Sequence, residues 1–507
     1  MVATAKSTTI AQKVTLSTGL NLARQMIAVV SGIIVAREVG PDVLGIVAYA
    51  GAYAGMFQSF SDLGFGTAHI KRVSEGYDLG ECMGTMWIAK ITGLAVMTLA
   101  VLVSFWVGGY KTFGDRTGEV VFYLAVVSLI ASQLSMVQVC TLAAFQDVVR
   151  KDLPATGIQV INSLLRVSVA ILGVGAIGLA GADATTTVVL LGIYLWLLRK
   201  LPLAWPSRAT FKIYLTFGLP MFIVALVTSV GSGLDRIFLE FFAGTGAVGQ
   251  YSAGMRLGAM LNFLSTAVAG LIFPSMSRAY AEGRAEEAFA LCGRAERQLA
   301  LVLLPLALGV TVVARPTASL LLGAKYPDTG SVIVFGTFAM IFHTLTQPYR
   351  QIISASERVT VSVCAELAFF GLQAALLYVF VGDPLGSVPA SIRGAPAAAI
   401  ATAAAAVIAA VLWRTLAVRV LSAKLERRVW IHGVSAAVLF VPAYTLAFSS
   451  QALPLLSTVS LAAVVLSIHL AVLRFSGELG PDQIQFLRSL VPDVCFEIIP
   501  RITRVIG

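Results

Sequence analysis

What most constrains this chain is a rhythm of long apolar stretches and short polar joints, with the basic residues gathered at every second joint. The apolar stretches recur from about residue 15 to about residue 475. A helix needs about 20 apolar residues to cross a bilayer core. Fourteen spans fit, at 14–36, 43–66, 83–108, 119–145, 154–176, 185–198, 213–241, 247–273, 299–320, 330–348, 359–381, 395–413, 431–449 and 455–473. One set of joints holds Lys71 and Arg72, Arg150 and Lys151, then Arg199, Lys200, Arg208 and Lys212. It continues with Arg278, Arg284, Arg294 and Arg297, then Arg350 and Arg358, and ends in Arg414, Arg419, Lys424, Arg427 and Arg428. The other set holds only Arg37, Lys111, Arg116, Arg315, Lys325 and Arg393. Cytoplasmic loops carry the Lys and Arg excess. The expectation is an all-α, multi-pass protein of the cell inner membrane with both termini cytoplasmic. Deleting one span would move every later joint across the membrane and erase the bias.

The chain is 58% hydrophobic and 12% charged, against about 45–50% and about 25% in soluble domains. Bilayer therefore replaces water as the main solvent. The net charge of +10 follows from the cytoplasmic joints, and no basic run is interleaved with aromatics, so no nucleic-acid partner is expected. A basic cytoplasmic face also meets anionic lipid headgroups. Cys82, Cys140, Cys292, Cys364 and Cys495 are far apart, and His69, His343, His432 and His469 lack ligand spacing. Neither a disulfide framework nor a metal or cofactor site is expected. The first apolar segment has no small-residue cleavage site leading into a soluble domain, so no cleaved signal is expected.

A weak internal repeat is present. Arg37-Glu38-Val39-Gly40 and Gly45 precede a span ending near Arg72 and Gly76. Gly244 and Gly249-Gln250-Tyr251 precede one ending at Arg278 and Gly283, about 204 to 207 residues later. Two six-helix bundles related by an axis along the membrane normal, as in many secondary transporters, produce this pattern. The expected domains are an N-terminal bundle over 1–206, a C-terminal bundle over 207–424, helices 13 and 14 over 425–475 and a cytoplasmic amphipathic tail over 476–507. The joint at 199–212 is the expected hinge. Residues 37–42 and 242–249 are corresponding external turns.

Ionisable groups inside spans cost several kcal/mol and must face a cavity, find a partner or snorkel. Arg24, Lys90, Arg166, Arg236 and Arg256 are the basic ones, and Asp62, Asp235, Glu240 and Glu366 accompany them. Gln159, Asn162, Ser163 and Arg166 share one helix face, which must point inward because lipid cannot hydrogen-bond it. Asn21 lies one turn before Arg24. Arg24, Arg166 and Arg256 have no evident acidic neighbour one turn away, which points to a cationic cavity in which Asn21 and Asn162 also serve. The plainer readings are buried hydrogen bonds for Arg24 and Arg166, and pairing with Glu240 or Glu366 for Arg256. Lys90 reads most simply as snorkelling to the cytoplasmic edge. Asp62, Asp235, Arg236 and Glu366 are candidates for ion coupling or for structural ion pairs.

In these motifs the chain resembles the MOP exporter superfamily, and most closely its polysaccharide, or Wzx-type, flippase branch. The stretches that carry the resemblance begin with Asn21-Leu22-Ala23-Arg24 through Arg37-Glu38-Val39-Gly40 to Gly45. Ser61-Asp62-Leu63-Gly64-Phe65-Gly66 with Lys71-Arg72 follows, then Leu142-Ala143-Ala144-Phe145-Gln146 with Ser163-Leu164-Leu165-Arg166. The last is Gly233-Leu234-Asp235-Arg236-Ile237, Gly244, Val248-Gly249-Gln250-Tyr251 and Arg256-Leu257. The resemblance implies two six-helix bundles around a central cavity, and translocation of undecaprenyl-diphosphate-linked oligosaccharide repeat units for cell-surface polysaccharide biosynthesis. It implies a polyprenyl-diphosphate-linked glycan and membrane lipids as partners, with contact to a polysaccharide polymerase or glycosyltransferases left open. Drug exporters of this superfamily often carry an acid in the first span for cation coupling. Here that span holds Asn21 and Arg24 instead.

Two other classes stay in view. A multidrug or small-molecule cation antiporter would need buried carboxylates, for which Asp62 and Glu366 are available. A membrane enzyme would need an external loop with a catalytic constellation, and none is evident. No P-loop motif is present, so transport would draw on potential, an ion gradient or consumption of product.

Overall fold

In a computed structural model the protein is all-α, a polytopic membrane protein with no strand among the described residues. The structure describes residues 10–109, 116–258, 282–356, 358–421, 429–449 and 455–478, with 279 and 483. Arg278, Lys424, Arg427, Arg428, the end of the span expected at 247–273 and nearly all of the expected amphipathic tail lie outside these residues.

The helices are α1 (Ile10–Gly55), α2 (Phe65–Ser74), α3 (Leu79–Ser104), α4 (Arg116–Ala144), α5 (Val148–Ile171), α6 (Gly175–Leu198), α7 (Arg208–Gly231), α8 (Leu234–Ala243), α9 (Thr245–Gly258), α10 (Ala285–Leu322), α11 (Thr329–Ala355), α12 (Val359–Phe380), α13 (Ala395–Leu421), α14 (Val429–Ala447) and α15 (Leu455–Phe475). Eleven described helices are long and apolar enough to cross a membrane. The difference from fourteen has local causes. The first two spans form one continuous helical run through a kink at Gly40. The fifth, α5, carries the polar stripe, and the eighth is described only in part.

Two expected spans change shape. The stretch at 43–66 is broken: α1 stops at Gly55, a 3-10 turn covers Gln58–Ser61, and Leu63 (φ 47) and Gly64 (φ 76) are left-handed. The sixth span is not the short 185–198 but the 24-residue α6. Asp183, inside that helix, interrupts the apolar run and makes it read as shorter.

The chain forms two compact units. One comprises Met1–Phe263, Ala318–Gly336 and Val359–Ala405; the other comprises Leu264–Thr317, Thr337–Arg358 and Ala406–Gly507. In the first, α1 packs along α9 and α5, α4 along α6, and α2 sits against α4, α7 and α3. The linker between α6 and α7 is fastened to the start of α3. Ala204 N donates to Gly80 O at 3.1 Å, and Ser207 and Thr210 hydroxyls donate to Glu81 Oε2 at 2.9 and 2.6 Å.

In the second unit, α14 and α15 pair. The buried Glu478 carboxylate accepts from Arg297 Nε at 2.8 Å and lies 3.2 Å from His432 Nε2. Arg414 stacks over Trp430 at 5.3 Å and lies 3.5 Å from the buried Glu296, which also accepts from the Tyr349 hydroxyl.

Candidate functional site

The three arginines singled out by their depth all fall in the first unit, on α1, α5 and α9. Their surroundings differ.

Arg166 is not a bare cation. Its Nη1 donates to Asp183 Oδ1 at 2.9 Å and Oδ2 at 2.7 Å. Asn162, one turn earlier on α5, donates to the same Oδ1 at 2.9 Å and to Thr186 Oγ1 at 2.8 Å. Gln159 donates to Ser163, which also takes a 3.1 Å bond from Ser31 of α1. The whole stripe therefore faces α6 and α1, as helical spacing and the absence of acceptors in lipid require. Asp183 did not enter the sequence reading. A signal existed: α5 and α6 join through a tight turn at 172–174, and Arg166 and Asp183 lie at similar depths on either side of it.

Arg24 is paired as well. Its guanidinium donates to Asn21 Oδ1 and lies 3.6 Å from Asp152 Oδ1. Asp152 is buried and also meets Ser17 Oγ at 2.7 Å and Lys151 Nζ at 3.6 Å. Two cations thus share one carboxylate, and a net positive charge stays at this end of α1 and α5. Asp152 was hidden among the charges of its joint.

Arg256 stands apart. Among the described residues it has neither an ion pair nor a hydrogen-bond acceptor, and it does not pair with Glu240 or Glu366. Arg256 is exposed and borders a narrow crevice between α1 and α9. Its stem crosses α1 at Gly32, where a Cβ would stand 2.9 Å from Nη1 and 3.2 Å from Cδ. Gly32, Ile33 and Ala36 of α1 and Ala253 and Leu257 of α9 line the narrow apolar crevice beside it.

The acids have separate places. Asp235 is buried and accepts from the Tyr251 hydroxyl at 2.7 Å, with Thr402 and Gln373 continuing the chain of contacts. Arg236 lies 3.5 Å from it and turns its guanidinium to Ser232 O. Asp62 pairs with Lys90 at 3.1 Å. Lys90 does not snorkel: its side chain is 1% exposed. Glu366 is buried on α12.

The turns at 40–45 and 244–249 meet. Gly40 (φ 81, ψ 171) and Gly244 (φ 80, ψ 174) each stop a helix in a conformation open to glycine. A Cβ on Gly45 would stand 1.9 Å from Thr245 O, and one on Gly249 1.8 Å from Pro41 O. The contact is reciprocal, residue for residue, as a twofold between repeats demands. The break at Gly40 leaves the last carbonyls of the first half of α1 without amide donors. Tyr326 donates to Ala36 O at 2.8 Å, and Lys325 Nζ lies 3.2 Å from Glu38 O and 3.5 Å from Arg37 O. Burial raises the Tyr326 phenol above its ordinary value, so it stays a donor.

A model of the family described as polysaccharide biosynthesis protein matches residues 10–280. "Probable low-salt glycan biosynthesis flippase Agl15" of Haloferax volcanii is 22% identical over 309 residues, 59% of this chain and 62% of that protein. "Probable flippase AglR" of the same organism is 24% identical over 262 residues, 51% of this chain and 53% of that protein. The matched stretch thus spans a little over half the length of these relatives. The solved structure "Lipid II flippase MurJ, inward closed conformation" superposes with TM-score 0.70 at 12% identity, covering 91% of this chain and 99% of that one. A "multidrug resistance MATE family transporter of the MOP superfamily", inward-facing, gives 0.57 at 18% identity over 79% and 95%. These two likenesses are of fold.

Proposed function

The chain belongs to the polysaccharide biosynthesis protein family, and on that premise we propose that it is a flippase for lipid-linked glycan. In this reading it moves undecaprenyl-diphosphate-linked oligosaccharide repeat units from the cytoplasmic to the external leaflet of the inner membrane, both termini lying in the cytoplasm. The observation that carries the reading is Arg256, an exposed guanidinium on α9 with no carboxylate of its own among the described residues. The planar fork of a guanidinium suits the oxygens of a diphosphate. Arg24, backed by Lys151 and sharing only Asp152, supplies a second positive end. Arg166, held by Asp183, takes part by shaping the wall with Asn162 and Asn21 rather than as a free charge.

The reciprocal contact at 41, 45, 245 and 249 supports alternating access. With the external turns together, the glycan would enter from the cytoplasm; rocking of the two repeats about the joint at 199–212 would part them. A negative interior favours outward movement of anionic charge by roughly 2.3 kcal/mol per charge per 100 mV.

The test is transport in proteoliposomes with two probes, a fluorescent polyprenyl-diphosphate oligosaccharide and the cationic dye ethidium. Glycan translocation that falls sharply in Arg256→Ala and partly returns in Arg256→Lys supports the flippase. Ethidium antiport with no glycan movement overturns it in favour of a cation exporter, with Asp235 as the acid to examine.

A further inference from the structure

We propose that Asp62 and Gln133, beside the broken backbone between α1 and α2, form a monovalent-cation site that the chain's own Lys90 ammonium fills. The inference is independent of what the protein transports. It starts from the interrupted helix. Between Gly55 and Phe65 the α-helix gives way to a 3-10 turn, and among the described residues no backbone amide bonds the Phe60 or Ser61 carbonyl. Transporters commonly bind sodium where a helix unwinds and bare carbonyls meet a carboxylate.

The donor set at this break is of that kind. Asp62 Oδ1 lies 3.1 Å and Gln133 Oε1 3.3 Å from Lys90 Nζ. Ser61 Oγ, whose one proton serves Gln58 O at 2.7 Å or Gln133 Oε1 at 2.8 Å, stands beside that amide oxygen. One turn beyond Lys90 on α3, Gly93 lets the helix lie directly on the break: a Cβ there would stand 2.7 Å from Phe60 O and 2.9 Å from Ser61 O. Gly93 and Lys90 share a face, so the same close approach that covers the carbonyls delivers the ammonium to the carboxylate. The ammonium is a compact point charge with three donors and no acceptor. It occupies the space and charge that a sodium or potassium ion would need. A lysine 1% exposed inside a bilayer is otherwise costly, and here it is held by oxygens alone. The native site therefore takes no alkali-metal ion from solution.

The experiment uses the full chain purified in detergent, with Tm read from intrinsic fluorescence in NaCl, KCl and choline chloride at equal ionic strength. The wild type is expected to melt at one temperature in all three. Lys90→Ala, or Lys90→Gln which keeps a neutral donor, is expected to gain about 2 °C or more in NaCl or KCl over choline. Lys90→Ala with Asp62→Asn is expected to lose that gain. Three results would overturn the proposal. One is a wild type stabilised by sodium and not by choline. Another is a folded Lys90 variant indifferent to the salt. The third is failure of both Lys90 variants to fold in sodium and potassium alike, since the free cation would then not replace the tethered one.

Discussion

Gly40 and Gly244 adopt the same backbone conformation 204 positions apart, φ 81 and ψ 171 in one, φ 80 and ψ 174 in the other. Each ends a helix and aims the next one back. The glycines that follow, Gly45 and Gly249, then lie against Thr245 and Pro41 respectively. The two glycine turns that the sequence sets 204 residues apart therefore meet in the fold.

Because Cβ atoms at 45 and 249 would stand 1.9 and 1.8 Å from backbone oxygens, alanine at either position must push the external turns apart. In a variant lacking the native cysteines, Asp42→Cys marks this contact. Adding Gly45→Ala or Gly249→Ala should raise labelling by a membrane-impermeant maleimide several-fold. Equal labelling at normal protein levels would mean that the turns open by another route.

The converse change should lock the turns. A Cβ on Gly246 would lie 2.7 Å from Asp42 Oδ1, so a short reducible thiol crosslinker should bridge Asp42→Cys and Gly246→Cys. Bridging should stop glycan translocation, and reduction should restore it. Undiminished transport with the bridge intact would rule out rocking at this face.

Gly32→Ala separates folding from function at Arg256. The new methyl displaces the far end of a flexible side chain, and alanine favours the helix by about 1 kcal/mol over glycine. Thermal stability should hold or rise while translocation falls roughly tenfold, which is about 1.4 kcal/mol in binding. A fall in both would make Gly32 a packing residue only.

Arg166→Met should cost about 2–3 kcal/mol, at or below the lower end for breaking a buried pair, because Asp183 keeps 29% side-chain exposure. The double variant with Asp183→Leu should recover most of the stability, measured by thermal unfolding in detergent. If the double variant also transports normally, the pair is structural. If it is stable and inactive, Arg166 acts on substrate.

Hydropathy determined which segments leave water, because transfer free energies are summed along the chain, and the Lys and Arg bias sets the expectation of which joints face the cytoplasm. The helical spacing of Gln159, Asn162, Ser163 and Arg166 likewise fixed a face that had to be satisfied by protein. The spacing of Gly40 and Gly244 marked the repeat. What satisfied each charge was decided by tertiary structure. Arg166 met Asp183, Arg24 met Asp152, Lys90 met Asp62 and Arg256 met no carboxylate among the described residues. Those outcomes depend on the depth and rotation of one helix against another. Packing sets both: a glycine such as Gly93 or Gly32 admits a close approach, and a broken turn redirects a carboxylate. Linear spacing holds no record of either.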